Sequence, residues 1–284
     1  MNEYLLGLYE KAMPGDLSWK EKLETVKNSG FDYLEMSLDE SDAKLARLQM
    51  TAAEKAEICQ AVKETGIPVR SICLSGHRKY PLGSKDPEIR RRSLQIMEQA
   101  IALADALGVQ MIQLAGYDVY YEAGDEETKR WFAVNLHAAV QMAARTGILL
   151  GFETMETPFM DTVAKAMHYV QAEQSPWLGV YPDAGNLTNA SLLYGESLPA
   201  DLQMGAGHLL AMHLKETVPG KYREIPFGQG HVDFSAAVNA AWALGIRRYV
   251  AELWYTGEPQ WQDILRETSL YLRKYFPGDL ATDN

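Results

Sequence analysis

The stretch AARTGILLGFET, residues 143–154, decides the fold. An amphipathic run of helical periodicity, 126–147, ends at Gly147, and the chain passes at once into the apolar run 148–154. Glycine readily adopts the left-handed conformation that closes a helix before the chain turns into a strand. The stretch therefore predicts a helix, a glycine cap and a buried strand in immediate succession.

The same succession recurs along the chain, where further amphipathic segments end at Gly30, Gly66, Gly108 and Gly245. Eight short apolar segments alternate with the amphipathic ones, and we predict strands at 5–9, 33–37, 69–75, 111–116, 148–154, 178–183, 209–215 and 249–254. The predicted helices are 19–30, 51–66, 87–108, 126–147, 160–173, a short stretch near 199–206, 234–245 and 260–275. Repeated helix–strand units predict a parallel sheet, here a closed (β/α)8 TIM barrel. An open doubly wound sheet is the alternative, although no GxGxxG motif follows the first strand.

Length and composition fit one such barrel. The chain has 284 residues, and a barrel of this type needs about 250. We expect a single domain over 1–276 and a frayed tail over 277–284, where composition turns polar. Cys59 and Cys73 are expected to be reduced thiols in the core.

Charge and the N-terminal sequence exclude several classes of protein. The net charge of −11 argues against a nucleic-acid binder, whose surface would be basic. The first eleven residues, MNEYLLGLYEK, resemble neither a signal peptide nor a membrane span. We therefore expect a cytoplasmic protein without a membrane partner.

Four of the predicted strands lead into residues that bind metals well. In a (β/α)8 barrel the chemistry lies at the carboxyl ends of the strands. Glu153, Asp183, His213 and Glu252 stand at those ends on strands five to eight, which are neighbours around the rim. Three carboxylates and one imidazole suit Mn²⁺ or Zn²⁺, with Mg²⁺ and Co²⁺ as further candidates. The alternative is that each acid pairs separately with a lysine or arginine at the rim. Glu35, within strand two, is either a rim acid or part of an ion pair inside the barrel.

Several stretches resemble the L-ribulose-5-phosphate (L-xylulose-5-phosphate) 3-epimerases of the xylose-isomerase-like barrel superfamily. The matching stretches run from residue 7 to residue 254 and include GLYEKAMP, FDYLEMSLDE, ICLSGHRKYPLGS, IQLAGYDVYY, YPDAGNL, HLKET, VPGKYREIPFGQGHVDF and AELW. The resemblance implies that the four residues named above bind a divalent metal ion and that Glu153 and Glu252 are also the acid–base pair. Two departures stand out. Glu216 occupies a position where the family has aspartate, and the segment 188–202 differs in length, which puts contacts after strand six in doubt.

The implied reaction explains why two glutamates are needed. Inverting C3 of a 2-ketose phosphate removes a proton next to the carbonyl and returns one to the opposite face, so one carboxylate is required on each side. A metal ion would stabilise the enediolate as a Lewis acid. The expected reaction interconverts L-xylulose 5-phosphate and L-ribulose 5-phosphate.

The phosphate requires cations near the strand ends. Lys215 and Arg223, after strand seven, are the first candidates, and Lys11, His77 and Arg78 follow from the loops after strands one and three. Glu156 and Asn186 are further candidates for contacts with the sugar. The alternative is that most of these side chains are simply solvated.

Three other functions are alternatives to this one. The first is epimerisation or isomerisation of unphosphorylated ketoses on the same barrel. The second is a metal-dependent phosphodiesterase, which would need more metal ligands and a basic face. The third is a sugar-phosphate binding protein without turnover, which would not need a carboxylate on each face of C3. A homodimer is compatible with the sequence.

Overall fold

The structure, a computed structural model, describes residues 3–277 and contains one eight-stranded parallel sheet in this part of the chain. The strands are β1 (Leu5–Tyr9), β2 (Tyr33–Leu38), β3 (Val69–Leu74), β4 (Met111–Ala115), β5 (Leu149–Glu153), β6 (Leu178–Tyr181), β7 (Met212–Leu214) and β8 (Arg248–Ala251). Their order is β6-β5-β4-β3-β2-β1-β8-β7, so consecutive strands are neighbours and β1 pairs with β8. All eight predicted strands are confirmed, with ends that differ by up to three residues.

The sheet closes where β6 meets the residues around β7. Isolated parallel bridges join Val180 to Leu209 and Asp183 to His213. The amide of Val180 donates to the His208 carbonyl at 2.9 Å, and the amide of His213 donates to the Pro182 carbonyl at 2.9 Å. The predicted (β/α)8 TIM barrel is therefore confirmed, and Asp183 and His213 lie at its closing seam.

Helices connect the strands and cover the outside of the barrel. Within the described residues they are α1 (Trp19–Asn28), α2 (Asp42–Ala46), α3 (Ala52–Thr65), α4 (Pro87–Leu107), α5 (Glu126–Thr146), α6 (Val163–Glu173), α7 (Ala184–Tyr194), α8 (Leu198–Met204), α9 (Phe234–Ala243) and α10 (Trp261–Arg273). The five glycines predicted to close helices all have positive φ. Capping boxes start α1 at Ser18 and α3 at Thr51.

Helix α7 was not predicted. Its sequence, AGNLTNASLLY, is rich in residues that disfavour helix interiors, and it has little amphipathic pattern. Asp183 starts it by accepting a hydrogen bond from the Asn186 amide at 2.6 Å. The helix thus begins at a candidate metal ligand, which its own sequence periodicity could not reveal.

The interior of the barrel is a packed layer beneath the strand ends. Tyr9, Tyr33, Cys73 and Tyr181 are among its buried members. A Cβ atom on Gly7 would lie 2.5 Å from the Tyr33 ring, so glycine makes room for this tyrosine inside the barrel. The larger apolar core, which includes residues of both strands and helices, lies outside this layer.

The two cysteines differ in their exposure to solvent. Cys73 is buried and free as expected, but Cys59 is exposed on α3, so its assignment to the core was wrong. The low amphipathicity of α3 made the face of Cys59 hard to predict. The expected frayed tail 277–284 lies, except for Pro277, outside the described residues. No helix between residues 3 and 277 is long and apolar enough to cross a membrane.

Candidate metal centre and active site

Four side chains converge at the carboxyl ends of neighbouring strands. Glu153 is the last residue of β5, Asp183 follows β6, His213 is the central residue of β7 and Glu252 follows β8. One ligand atom from each lies within 4.8 Å of those of the other three, and all four residues are buried. The structure brings together the four residues predicted from the sequence, and their role as metal ligands stays a prediction.

The charge balance of this cluster fits a cation. The Lys215 ammonium lies 3.3 Å from Asp183 Oδ1 and 3.3 Å from Glu252 Oε2. A single lysine shared by two carboxylates does not neutralise three of them. Asp183 Oδ2 is buried and has no hydrogen-bond partner among the described residues. Buried carboxylates are costly unless they are paired or coordinate a metal, so this donor set fits a divalent ion better than separate ion pairs.

His213 is held between the carboxylate cluster and the barrel interior. Its Nδ1 lies 3.2 Å from Glu153 Oε1 and 3.6 Å from Glu252 Oε2. Its Nε2 lies 2.6 Å from Glu35 Oε1, on the opposite side of the ring. Glu35 is fully buried within β2. The sequence left Glu35 as either a rim acid or part of an ion pair inside the barrel. The structure shows the pair inside the barrel, with His213 as the partner.

Other buried amides orient the cluster. The Gln113 side-chain amide, on β4, donates to Glu153 Oε2. The Asn186 side-chain amide donates to the Thr154 carbonyl at 2.7 Å and holds the start of α7 against the end of β5. Asn186 is 1% exposed, so its place in the structure is between elements and not on an open surface.

The two glutamates have opposite electrostatic environments. Burial, followed by the Glu252 carboxylate, raises the pKa of Glu153. Burial also opposes ionisation of Glu252, but Lys215, His213 and Arg223 together lower the pKa of that carboxyl. Burial raises the pKa of Asp183 to about 7 against the opposing charge of Lys215. Although burial disfavours the imidazolium, Glu35, Glu252 and Glu153 raise the pKa of His213 well above its usual value.

A second polar cluster includes Glu156 and Arg223. Glu156 accepts hydrogen bonds from the Tyr117 hydroxyl at 2.6 Å and from Arg223 Nη2 at 2.8 Å. Arg78 Nη2 lies 3.5 Å from the Tyr117 hydroxyl, and its guanidinium lies 4.6 Å from the centre of the Tyr120 ring. Burial opposes ionisation of Glu156, but Arg223, the Tyr117 hydroxyl and Lys215 together lower the pKa of this carboxyl. Two arginines and one carboxylate leave this cluster with excess positive charge in an acidic protein.

The remaining candidates for phosphate contacts lie elsewhere. Lys215 faces the carboxylate cluster, as described above. Lys11 forms an ion pair with Asp39 at 2.5 Å. His77 is 3% exposed, and its Nε2 lies 3.2 Å from the Ser93 carbonyl, while burial lowers its pKa to about 4. A neutral, buried imidazole that donates to a carbonyl does not support the anion-binding role predicted for His77.

A cavity of about 670 Å³ adjoins the candidate site. It lies between the loop after β7 and α10, and its walls include Phe227, Trp254 and Tyr271. Of the four clustered residues, it reaches Glu252. The cavity therefore provides space beside one of the two glutamates.

Comparisons with known proteins agree with this geometry. Residues 23–275 match the family model of the xylose isomerase-like TIM barrel. The chain is 43% identical over 250 residues to the L-ribulose-5-phosphate 3-epimerase UlaE of Salmonella typhimurium, covering 88% of this chain and 87% of UlaE. It is 44% identical over 261 residues to SgbU of Escherichia coli K12, which bears the same enzyme name provisionally, covering 89% and 90%. A crystal structure of D-allulose 3-epimerase from Methylomonas sp. superposes with a TM-score of 0.78 over 96% of this chain and 97% of the other. That pair is 16% identical, so this likeness concerns the fold alone.

Proposed function

The chain belongs to the xylose isomerase-like TIM barrel family and, within it, to the L-ribulose-5-phosphate 3-epimerases, and from this membership we propose that it interconverts L-xylulose 5-phosphate and L-ribulose 5-phosphate. The observation that carries the proposal is the convergence of Glu153 and Glu252, from two different strand ends, on one buried cluster with Asp183 and His213. A sugar-phosphate binding protein without turnover would not need a carboxylate on each face of C3.

The same four residues would hold a divalent cation, which we propose to be Mn²⁺ or Zn²⁺, with Mg²⁺ and Co²⁺ as alternatives. When bound, the cation supplies positive charge that stabilises the oxygen anion formed as C3 loses its proton. Lys215 adds a fixed positive charge beside Asp183 and Glu252. Without the cation the carboxylates of this buried cluster outnumber its basic groups, so the positive charge at the reacting end of the sugar depends on the cation together with Lys215.

Glu153 and Glu252 move the protons. One carboxylate takes the C3 proton, and the electrons of the C–H bond pass into the C2–C3 bond as the carbonyl oxygen becomes negative. The other glutamate, in its protonated form, delivers a proton to the opposite face of C3, and the carbonyl is restored. Gln113 holds Glu153 in place during both steps. Groups at strand ends suit this task because acid–base transfer needs a fixed distance of about 3 Å.

The phosphate is proposed to bind at the cluster of Arg223 and Arg78. Arg223 supplies a guanidinium that is held by Glu156 on one side. Arginine offers two parallel donors that match phosphate oxygens. The position of Lys215, between Asp183 and Glu252, makes it a weaker candidate for the phosphate than the sequence suggested.

A second candidate function is epimerisation of unphosphorylated ketoses. The observation that favours it is the ion pair at 2.8 Å between Arg223 and Glu156, which already offsets one cation of the cluster. The two substrates would use the same four residues and differ only in the need for the arginines.

Turnover distinguishes these functions. Purified protein should be stripped of metal with a chelator, reloaded with Mn²⁺ or Zn²⁺, and given L-ribulose 5-phosphate or L-ribulose in D₂O. We expect metal-dependent formation of the C3 epimer, with deuterium at C3 by NMR, and a higher kcat/KM for the phosphorylated ketose. A higher value for L-ribulose favours the second function, and no exchange with either ketose contradicts both.

A cytoplasmic location and a homodimer are further proposals based on the sequence. Size-exclusion chromatography with light scattering tests the second. A mass near 32 kDa, the mass of one chain, would contradict it.

A further inference from the structure

We infer that Glu35 is a positioning residue that determines which nitrogen of His213 faces the metal site. The inference rests on the proposed function, because it assigns a role to Glu35 in a metal centre formed by Glu153, Asp183, His213 and Glu252. It starts from the bond between Glu35 Oε1 and His213 Nε2, which at 2.6 Å is the shorter of the two hydrogen bonds of this ring.

The partners of Glu35 come from three other strands. The Ser71 hydroxyl, on β3, lies 2.6 Å from Glu35 Oε2, and the Tyr181 hydroxyl, on β6, lies 3.0 Å from the same oxygen. His213 reaches the other oxygen from β7. These contacts span the inside of the barrel, so the Glu35 carboxylate has little freedom to turn away from His213.

Hydrogen-bond chemistry then assigns the protons. The Ser71 and Tyr181 hydroxyls both donate to Glu35 Oε2, and the remaining oxygen, Oε1, accepts from His213 Nε2. A histidine that binds a cation must present a nitrogen without a proton, and a proton held on Nε2 leaves the lone pair for the cation on Nδ1. That nitrogen faces Glu153 and Glu252. The bond to Glu35 therefore presents the correct nitrogen to a cation.

Burial makes the arrangement depend on Glu35. Glu35 and His213 are both fully buried, and Tyr181 packs edge-on against the His213 ring with the ring centres 4.9 Å apart. Bulk water therefore does not replace Glu35 as the acceptor of the Nε2 proton. Without a strong acceptor there, His213 can place its proton on Nδ1, which then cannot bind a cation. Mutation of a residue that hydrogen-bonds to a metal-binding histidine typically weakens metal affinity by about 10- to 100-fold.

The test compares Glu35→Gln with Met111→Leu. Gln has the size of Glu but cannot carry its negative charge. Met111 belongs to the buried layer inside the barrel, so Met111→Leu controls for repacking of that interior. The dissociation constant for Zn²⁺ alone is measured by chelator competition, and the melting temperature is recorded separately. We expect Glu35→Gln to raise this constant by about 10- to 100-fold and Met111→Leu to change it by less than about threefold.

A second measurement needs no variant. In ¹⁵N-histidine-labelled wild-type protein loaded with Zn²⁺, a long-range ¹H–¹⁵N spectrum should show His213 with its proton on Nε2 and a metal-shifted Nδ1. A proton on Nδ1, or equal Zn²⁺ affinity in wild type and Glu35→Gln, overturns this inference and leaves the proposed function standing. A wild-type protein that binds no Zn²⁺, Mn²⁺, Mg²⁺ or Co²⁺ overturns the metal-dependent function together with the inference.

Discussion

Among single residues, two basic side chains of the site have different surroundings. Lys215 lies among the carboxylates, whereas Arg223 pairs with Glu156 in the second polar cluster. These two basic residues come from the same segment after β7, eight positions apart, and have different partners. From this difference in position we propose that Arg223 binds the phosphate and that Lys215 acts at the reacting end of the sugar.

Replacing Arg223 by Met tests the first assignment. The variant should raise KM for L-ribulose 5-phosphate by about 10-fold or more, since a hydrogen bond to a charged group contributes about 1.5–3 kcal/mol. KM for L-ribulose should change far less. Lys221→Met is the matched control, because Lys221 is an exposed cation on the same loop. Steady-state kinetics with both ketoses measure the effect, and equal increases for the two would remove Arg223 from the phosphate site.

At the scale of elements, the loop from 217 to 232 is organised by one buried carboxylate. Glu216 accepts hydrogen bonds from the amides of Thr217 at 3.2 Å, Gly228 at 3.0 Å and Val232 at 3.1 Å. A Cβ atom at position 230 would clash with this carboxylate, so Gly230 permits the close approach. Arg223 is carried by this loop, so Glu216 indirectly places the proposed phosphate ligand.

Removing that carboxylate should loosen the loop. Glu216→Ala leaves three amides without their acceptor, and each such bond to a charged group contributes about 1.5–3 kcal/mol. We expect cleavage within 217–232 by a protease to become at least about tenfold faster, since local opening controls cleavage. Gln229→Ala, an exposed position on the same loop, is the control. Mass spectrometry of limited digests reports the site of cleavage, and unchanged rates would show that Glu216 does not hold the loop.

Local sequence patterns predicted some parts of the site and missed others. Glu153, Asp183, His213 and Glu252 were identified because they stand at the ends of consecutive predicted strands, and neighbouring strand ends meet in a barrel. Glu35 stayed ambiguous because its partner His213 lies 178 positions away, and only the closed barrel brings them together. Helix α7 was missed because its start depends on Asp183 as a cap and not on a periodic apolar face. Tertiary contacts, which local patterns do not contain, decide such features.

At the scale of the whole molecule, buried ionisable groups outside the site influence stability. Glu10 is buried outside the barrel interior and contacts Lys22, Lys44 and Arg47, and Arg47 and Lys44 are the main groups that lower its pKa despite burial. His77 is buried in its neutral form. The folded state disfavours the protonated form of both groups, because their pKa values lie below the ordinary ones. The free energy of unfolding is therefore highest at neutral pH and falls when acid protonates them. Acid should therefore destabilise this barrel partly through groups outside the candidate metal centre.

The contribution of His77 gives a defined pH range. Its folded pKa of about 4 lies below the usual value of about 6.5, so its stabilising effect is complete above pH 6.5 and is lost as pH falls toward 4. Over this range wild-type protein should lose about 3 kcal/mol more unfolding free energy than His77→Gln, whose side chain keeps a donor for Ser93 and does not titrate. Urea titrations at several pH values measure this difference. His208→Gln, at an exposed position, is the control, and parallel curves for wild type and His77→Gln would contradict the account.

If Glu153 and Glu252 act on opposite faces of C3, proton exchange at C3 should distinguish the two glutamates. Glu153→Gln and Glu252→Gln should be loaded with Mn²⁺, checked for equal metal occupancy, and incubated in D₂O with each pentulose 5-phosphate epimer. Epimerisation should fall by about 10²- to 10⁴-fold in both variants, the usual contribution of a positioned acid–base group. Exchange at C3 should persist for the epimer whose base remains, so the epimer that one variant exchanges is the one that the other cannot. If both metal-loaded variants exchange the same epimer, or exchange both epimers equally, the two-base account is wrong for this protein.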